Sequence, residues 1–395
     1  MSDTTVYRAS TTAPVNIAVI KYWGKRDTSL NLPTNSSLSV TLSQKSLKTH
    51  TTASCSSSYT GQDSLLLNGE PEDIQSSKRT QACLQLLRRF RKDVEAKDSS
   101  LPKLADMPLK LVSANNFPTA AGLASSAAGF AALVRSIANL YDLPHSPTQL
   151  SLIARQGSGS ACRSLMGGYV AWRAGSSKDG QDSIAEEVAP VSHWPDMRAL
   201  ILVVSADKKG VPSTAGMQTT VETSTLFNVR AEEIVPKRMA MMEEAIQAKD
   251  FPKFAETTMK DSNSFHACCL DSWPPIHYLN DVSRAAMNAV ETINRRAGEL
   301  VAAYTFDAGP NAVIYYEEKN EKLVAGVFRY VLQSVKGWDG EYGGQVPLND
   351  RGALESKTVM TLKGGVSRII CTGVGGGPEQ IDEHLVDERG QPVRV

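Results

Sequence analysis

A loop of small residues is the first feature of the sequence that could do chemistry. It runs from Pro118 to Gly129 (PTAAGLASSAAG), between a predicted strand and a predicted helix. Small side chains let backbone amides approach an anion, and a helix N-terminus adds unpaired N–H groups and a positive dipole. Ser125 and Ser126 could donate to phosphate oxygens or hold Mg²⁺. The alternative from spacing alone is a small-residue helix packed tightly against a sheet.

Neither of two familiar nucleotide-binding motifs occurs in the chain. A Walker A loop needs the pattern GxxxxGK[ST], and the sequence does not contain it. Gly157-Ser158-Gly159 begins a GxGxxG pattern, but Cys162 occupies the sixth position. The small-residue loop must therefore be interpreted on its own.

A second candidate is the basic end of an apolar strand, Ala13–Lys25 (APVNIAVIKYWGK). Lys21, Tyr22 and Lys25 at this strand end could meet a phosphorylated substrate. Asn16 lies inside the apolar run, where an unpaired amide would be costly. The alternative is an edge strand whose lysines extend their charged ends to solvent.

Two further segments carry charged groups at tight turns. Ser158, Ser160 and Arg163 share one short loop, and arginine matches a planar carboxylate with two parallel hydrogen bonds. The alternative is a structural Gly-Ser turn with a surface arginine. Asp307 lies in the turn of Tyr304–Asn311, where a lone aspartate usually caps the backbone. A carboxylate shielded from water could instead take a proton from an alcohol.

Composition excludes several classes of protein. The 395 residues contain 42 Lys plus Arg and 42 Asp plus Glu, which argues against a general nucleic-acid binder. The strongest apolar run, Ala199–Val204, is too short to cross a bilayer, and residues 1–10 do not resemble a secretory signal. The six cysteines form no CxxC pair and the histidines show no ligand spacing. We therefore expect a soluble cytoplasmic protein without a metal held by protein groups alone.

Hydrophobic periodicity predicts the elements that must position these groups. Thr49–Ser64 is expected to form exposed strands and turns, and Arg88–Lys92 a solvated helix face. The polar stretch Gly175–Asp196 suggests a domain boundary. Helices are predicted at Ser77–Lys97, Gly122–Tyr141 and Ala231–Lys249, with Pro236 as a break or restart, and strands at Asp63–Asn68, Leu109–Ser113, Arg198–Ser205, Leu300–Phe306, Asn311–Tyr316 and Ser367–Thr372.

Taken together, these motifs resemble those of a known family. The Pro118–Gly129 loop is similar to the signature of GHMP-superfamily kinases, which wraps the ATP phosphates. The KYWGK run with the following Leu32-Pro33 resembles mevalonate diphosphate decarboxylases specifically, as do the Ser158–Arg163 loop and the turn at Asp307. Val211–Met217 and Lys260–Ala267 also match the family pattern. The resemblance extends from Thr12 to Pro378.

The resemblance implies an α+β, two-domain GHMP-kinase fold with its active site in the interdomain cleft. A ribosomal-protein-S5-like domain would span residues 1–190 and a ferredoxin-like domain residues 191–395. The implied reaction is the ATP-dependent decarboxylation of mevalonate diphosphate to isopentenyl diphosphate, ADP, phosphate and CO2, through phosphorylation of the 3-hydroxyl. This reaction belongs to the route to isoprenoids and sterols. The resemblance also implies Mg²⁺ that is carried by ATP, with Ser126 as a candidate ligand, and a cytoplasmic homodimer.

The resemblance also assigns roles to individual residues. Asp307 would be the base, Lys21 would lie beside the reacting hydroxyl, and Arg163 would hold the departing carboxylate. Asn16 would position the reactive centre. The implied substrate contacts are Tyr22, Trp23, Gly24, Lys25, Arg79, Ser158, Gly159, Ser160, Ala161, Cys162, Arg163, Ser213 and Thr214. The implied nucleotide contacts are Ser113, Asn115, Pro118, Ala120, Ala121, Gly122, Leu123, Ala124, Ser125 and Ser126.

Two rival functions remain on this evidence. A small-molecule kinase on the same scaffold would stop at the phosphate ester and release no CO2. A catalytically silent sensor would bind ligand and regulate a partner, although the combination of Asp307, Lys21 and Arg163 argues against it. Measuring ADP, phosphate and CO2 together separates these functions from a decarboxylase.

Overall fold

The computed structural model describes residues 5–117, 125–204, 210–350 and 354–393. Its strands are β1 (Tyr7–Pro14), β2 (Asn16–Ile20), β3 (Lys25–Asp27), β4 (Leu32–Pro33), β5 (Ser37–Thr41), β6 (Lys48–Cys55), β7 (Ser64–Leu67), β8 (Glu70–Glu72), β9 (Leu109–Asn115), β10 (Tyr169–Trp172), β11 (Ala185–Ala189), β12 (Met197–Val204), β13 (Ala303–Phe306), β14 (Ala312–Glu317), β15 (Val366–Gly373) and β16 (Glu379–Ile381).

The helices connect and cover these strands. They are α1 (Lys78–Lys97), α2 (Ser125–Leu140), α3 (Pro147–Gly157), α4 (Ser213–Thr223), α5 (Phe227–Val229), α6 (Val235–Ala248), α7 (Phe251–Asp271), α8 (Asp281–Ala297), α9 (Ala325–Val331) and α10 (Ser356–Gly365). Short 3₁₀ segments occur at Leu104–Asp106, Gly159–Leu165 and Glu318–Asn320, and a π-helical segment at Arg230–Ile234.

The first half of the chain builds two sheets. The six-stranded sheet has the order β16-β1-β6-β9-β7-β8, in which only the β7–β9 pair is parallel among the described strands. The four-stranded sheet has the order β11-β10-β5-β2. Helix α2 packs Ala131 and Ala132 against Ala13 and Ala53 of the larger sheet. The small-residue helix therefore packs closely on a sheet. This packing is the structural alternative that its small residues suggested.

The second half forms a four-stranded antiparallel sheet with the order β13-β14-β12-β15. Both faces of β12 are buried, because Ile201 and Val203 enter one core while Leu200 and Leu202 enter another. The first of these cores also contains Ile17 of β2 and residues of α6 and α7. The two halves thus share a core, and the α+β fold expected from the sequence is confirmed.

Most predicted elements occur near their expected positions. Helix α1 begins after Ser77, whose hydroxyl accepts from the Thr80 N–H. Pro236 lies in the first turn of α6, which follows the π-helical segment Arg230–Ile234 without leaving helical backbone angles, so the helical backbone continues through it. The predicted boundary stretch Gly175–Asp196 contains the strand β11, which pairs with β10. In the described part of the chain, no helix is long and apolar enough to span a membrane.

Two local predictions hold for only part of their ranges, because tertiary partners override composition at the other residues. Most of residues 57–64 is exposed, as expected. The Thr-rich strand β6 is central and buried, since its hydroxyls pair with other strands, as in the 2.8 Å contact of Thr51 with Ser113. The basic run on α1 is solvated only in part, since Arg89 and Lys92 are exposed but two of its arginines are not. Arg91 is buried against Glu95 at 2.9 Å, and Arg88 makes a two-point contact with Asp63.

Candidate active site

A cavity of about 200 Å³ lies between the two halves of the molecule. Groups from separate elements line it: the end of β2, the loop after α3, the start of α4 and the turn after β13. The predicted site residues that line it are Asn16, Lys21, Tyr22, Trp23, Lys25, Arg79, Ser126, Ser158, Gly159, Ser160, Arg163, Ser213, Thr214 and Asp307. The structure therefore brings four separated sequence motifs to one cleft.

Lys21 and Asp307 form an ion pair in this cleft. The Lys21 Nζ lies 2.6 Å from Asp307 Oδ1, and the side chains are 3% and 35% exposed. Burial lowers the pKa of Lys21, and the negative charges of Asp307 and Asp261 oppose this shift. The ammonium in turn stabilises the anionic form of the carboxylate. Asp307 thus faces the cavity as an ionised group that could accept a proton.

Arg163 is a buried cation that contacts neutral groups. Its Nε donates to Ser39 Oγ at 3.0 Å and to Asn16 Oδ1 at 3.3 Å, and its Nη1 donates to Ser37 Oγ at 2.6 Å. No carboxylate of the described residues lies within ion-pair distance of it. Burial lowers the pKa of Arg163, but a guanidinium stays protonated in proteins. An uncompensated buried charge is costly, so this site favours an anionic ligand.

Asn16, the polar residue inside the apolar run of β2, has hydrogen-bond partners for its buried amide. Its Nδ2 donates to the Ser160 carbonyl at 3.0 Å and to Ser164 Oγ at 2.7 Å, while its Oδ1 accepts from Arg163. The amide therefore has partners on both sides. It ties the end of the Ser158–Arg163 loop to β2 and orients the guanidinium.

A basic corner lies at another part of the cavity, where Lys25 and Arg79 meet Tyr22. Burial and the charge of Arg79 lower the pKa of Lys25. The Tyr22 hydroxyl is buried without a hydrogen-bond partner in the described structure, and burial raises the pKa of Tyr22. A neutral donor in the same cavity as these two cations suits a ligand with several anionic oxygens.

Three predicted substrate contacts do not line the cavity but support residues that do. Gly24 adopts φ +85°, and a Cβ there would come within 2.5 Å of the Phe227 ring. Ala161 and Cys162 are fully buried, and burial raises the pKa of Cys162 to about 12, so its thiol is unreactive. Gly159 does line the cavity, since a Cβ there would lie 2.7 Å from Tyr22.

A second cavity of about 270 Å³ adjoins the first. Ser126 and Arg79 line both cavities, and Ser126 Oγ lies 3.3 Å from Ser158 Oγ. The predicted nucleotide contacts Ser113, Asn115 and Ser125 also line the second cavity, whereas Pro118, Ala120, Ala121, Gly122, Leu123 and Ala124 lie outside the described residues. Its other walls are largely apolar, which suits a flat, weakly polar group such as a nucleotide base.

Several lining residues were not predicted from the sequence. Asn31 lines the first cavity with a left-handed backbone (φ 53°) and a buried Oδ1 without a partner in the described structure. Leu65, Leu67 and Leu133 line the second cavity. Leu65 and Leu67 are two positions apart on β7 and so share one face, but the run of three leucines in this strand gives no sign of which face covers a pocket.

Comparison with known proteins gives a consistent result across the chain. Residues 13–185 match the family model described as "Diphosphomevalonate decarboxylase-like N-terminal domain", and residues 199–381 match "Mevalonate 5-diphosphate decarboxylase C-terminal domain". The chain is 66% identical over 398 residues to diphosphomevalonate decarboxylase mvd1 of Aspergillus fumigatus, covering 98% of each protein.

Solved structures agree with these sequence relatives. A crystal structure of mevalonate 5-diphosphate decarboxylase superposes with a TM-score of 0.89 at 54% identity, covering 96% of this chain and 98% of that chain. A structure of MDDEF in complex with MVAPP, AMPPCP and magnesium superposes with a TM-score of 0.74 at 31% identity, covering 96% and 100%.

Proposed function

This chain belongs to the diphosphomevalonate decarboxylase family, and we propose that it converts mevalonate diphosphate and ATP to isopentenyl diphosphate, ADP, phosphate and CO2. One observation carries the proposal. The Lys21–Asp307 pair and the buried Arg163 face the same cavity, and that cavity meets a second, apolar one at Ser126. A hydroxy acid bound in the first cavity would thus face a triphosphate that enters from the second.

The residues divide the work in two stages. In the first stage, Asp307 orients or deprotonates the 3-hydroxyl, which attacks the γ-phosphate of ATP. Positioning and charge neutralisation supply most of the acceleration in such a transfer. In the second stage, the tertiary phosphate leaves, cationic character develops beside the carboxylate, and CO2 departs as the double bond forms. Lys21 and Arg163 stabilise the anions throughout.

The available groups fit magnesium that arrives with the nucleotide. In the described ranges, no cluster of three or more His, Cys, Asp or Glu side chains could hold a metal ion. Mg²⁺ prefers oxygen ligands and keeps few contacts to protein when phosphates are present. Ser126, which lines both cavities, is the group we propose to hold it. When bound, Mg²⁺ would neutralise charge on the phosphates.

A product assay tests the proposed reaction. The purified protein is incubated with mevalonate diphosphate, ATP and Mg²⁺, and ADP, phosphate and CO2 are measured in parallel. Equal amounts of all three support the decarboxylase. ADP without CO2 would identify a kinase that stops at the phosphate ester, and no turnover would favour the sensor.

We also propose that the protein is a cytoplasmic homodimer with domains at residues 1–190 and 191–395. Light scattering tests the dimer.

Ser126→Ala is expected to raise KM for ATP by about tenfold, because the hydroxyl lies where the two cavities meet and would donate to a charged phosphate oxygen there. Steady-state kinetics with varied ATP measures the change. Ser136→Ala is the matched control in the same helix, since Ser136 is buried away from both cavities and its hydroxyl donates to the Leu133 carbonyl at 3.0 Å. Equal KM values in the two variants would move the nucleotide contact elsewhere.

The affinity for the diphosphate is expected to fall at alkaline pH. Because the pKa of Lys25 is lowered, its charge is lost at a lower pH than that of an ordinary lysine, and KM for mevalonate diphosphate should rise there. Lys25→Met should raise KM by about tenfold at neutral pH and flatten this dependence. Lys78→Met, an exposed lysine that lines neither cavity, is the control. A parallel rise in both variants would contradict the assignment.

A further inference from the structure

Asp261 is a carboxylate with no exposed surface, placed in helix α7 directly behind the active site. Its Oδ1 accepts from Arg230 at 2.9 Å and from Arg238 at 3.1 Å, and its Oδ2 accepts from Arg230 at 2.9 Å. Burial alone would raise the pKa of Asp261, but the two arginines and its hydrogen bonds reverse the shift, so the pKa is lowered. The group is therefore a buried anion, held in one orientation.

Asp261 makes one contact that its own ion pairs do not require. Its Oδ2 accepts from the backbone N–H of Lys21 at 2.7 Å, a contact that joins residues 240 positions apart. Lys21 follows the last residue of β2, where the register with β5 ends at Ile20 and Leu38. Just beyond the end of the β2–β5 pairing, the Asp261 carboxylate thus accepts the backbone N–H of Lys21 in place of a carbonyl of a neighbouring strand.

The carbonyl of Lys21 is held as well. Asn35 Nδ2 donates to it at 3.0 Å, and Arg230 Nη2 donates to it at 3.4 Å. Arg230 begins the π-helical segment Arg230–Ile234, a distortion that is frequent at functional sites. Side chains therefore fix both the backbone N–H and the backbone carbonyl of Lys21. Asp261 contacts the N–H and Arg230 contacts the carbonyl.

We propose that Asp261, together with Arg230, is a positioning residue that holds the Lys21 backbone so that Lys21 Nζ reaches Asp307. A buried ion pair is weak evidence for stability by itself, because replacing such a pair with apolar groups is often neutral. A role in placing Lys21 explains why this pair is aimed at one peptide across the shared core. The inference rests on the proposed function, since it assigns Asp261 to that reaction.

Asp261→Asn is expected to lower kcat by about 10- to 100-fold, because a small misplacement of a catalytic group has an effect of this size. KM for ATP should stay near the wild-type value. The charged groups that face Lys21 are Asp307, Asp261, Arg163 and Arg230, and His266 nearby is neutral because burial lowers its pKa to about 3.

The pH profile separates positioning from loss of stability. Burial lowers the pKa of Lys21, and the charge of Asp261 partly opposes this shift. Asp261→Asn should therefore lower the pKa of Lys21 further and move the alkaline limb of the kcat profile to lower pH. Glu95→Gln breaks an equally buried pair, Arg91–Glu95, with exposures of 3% and 5%. This control should lower the melting temperature but leave kcat and the limb unchanged.

Every outcome of this experiment decides the inference. A wild-type kcat or an unshifted limb in Asp261→Asn overturns it, as does an equal loss of kcat in Glu95→Gln. If Asp261→Asn does not fold, Arg230→Lys decides instead, because lysine cannot make the two-point contact; a wild-type kcat in that variant overturns the inference. Failure of the proposed function is distinguishable, since the wild-type protein would then release no CO2.

Discussion

Replacing Asp307 with asparagine is expected to lower kcat by about 1,000-fold, because a general base contributes two to four orders of magnitude. Asparagine has nearly the same shape but cannot take the proton of the 3-hydroxyl. It also removes the anionic partner of Lys21, which lies 2.6 Å away. Both steps depend on the first proton transfer, so ADP and CO2 should fall together. Single-turnover assays of both products measure the effect.

Asp182→Asn is the matched control for this variant. Asp182 is a turn aspartate whose carboxylate accepts from the backbone of Ser176 and Ser177, the capping role that a lone turn aspartate usually takes. It lines neither cavity, so its kcat should equal that of the wild type. If Asp307→Asn behaves like this control, Asp307 is a cap and the base is another group.

The location of the site was predictable because its residues occur where regular elements end. Lys21 follows β2, Asp307 follows β13, and Ser158 ends α3. A polar or charged group at such a point can face a cleft while the apolar residues before it fill the core. The residue types then restrict the chemistry, since a cation beside a carboxylate and a second buried cation suit a hydroxy acid. The resemblance supplied the identity of that acid.

The supporting groups behind the site were not predictable in the same way. Asp261 contacts Lys21 across 240 positions of sequence. It lies in Lys260–Ala267, which matches the family pattern, but the helical periodicity there does not distinguish it from a surface aspartate. Arg91 was assigned to a solvated face for the same reason, although the carbonyls of Tyr141 and Pro102 accept from it in the core. Burial of a charge depends on partners that only the fold assembles.

Arg163→Lys is expected to lower kcat/KM for mevalonate diphosphate by about 100-fold, because the loss of a hydrogen bond to a charged group costs about 1.5–3 kcal/mol. Lysine keeps the positive charge but cannot offer two parallel donors to a carboxylate. It also cannot reach Ser37, Ser39 and Asn16 at once, as the guanidinium does. KM for ATP should change little, since Arg163 does not line the second cavity, in which we propose that the nucleotide binds.

Arg155→Lys tests whether a buried arginine in helix α3, just before this loop, would give the same result. Arg155 is 1% exposed, and its Nη1 donates to the carbonyls of Gly180 at 2.7 Å and Ser183 at 2.8 Å. Its role is structural, so its replacement should lower the melting temperature while kcat/KM stays within about threefold of the wild type. A loss in Arg163→Lys that is no larger than this would show that Arg163 orders the loop and does not bind the carboxylate. A loss of kcat/KM confined to Arg163→Lys would instead show that this guanidinium, which contacts neutral groups in the described structure, binds the substrate carboxylate that is released as CO2.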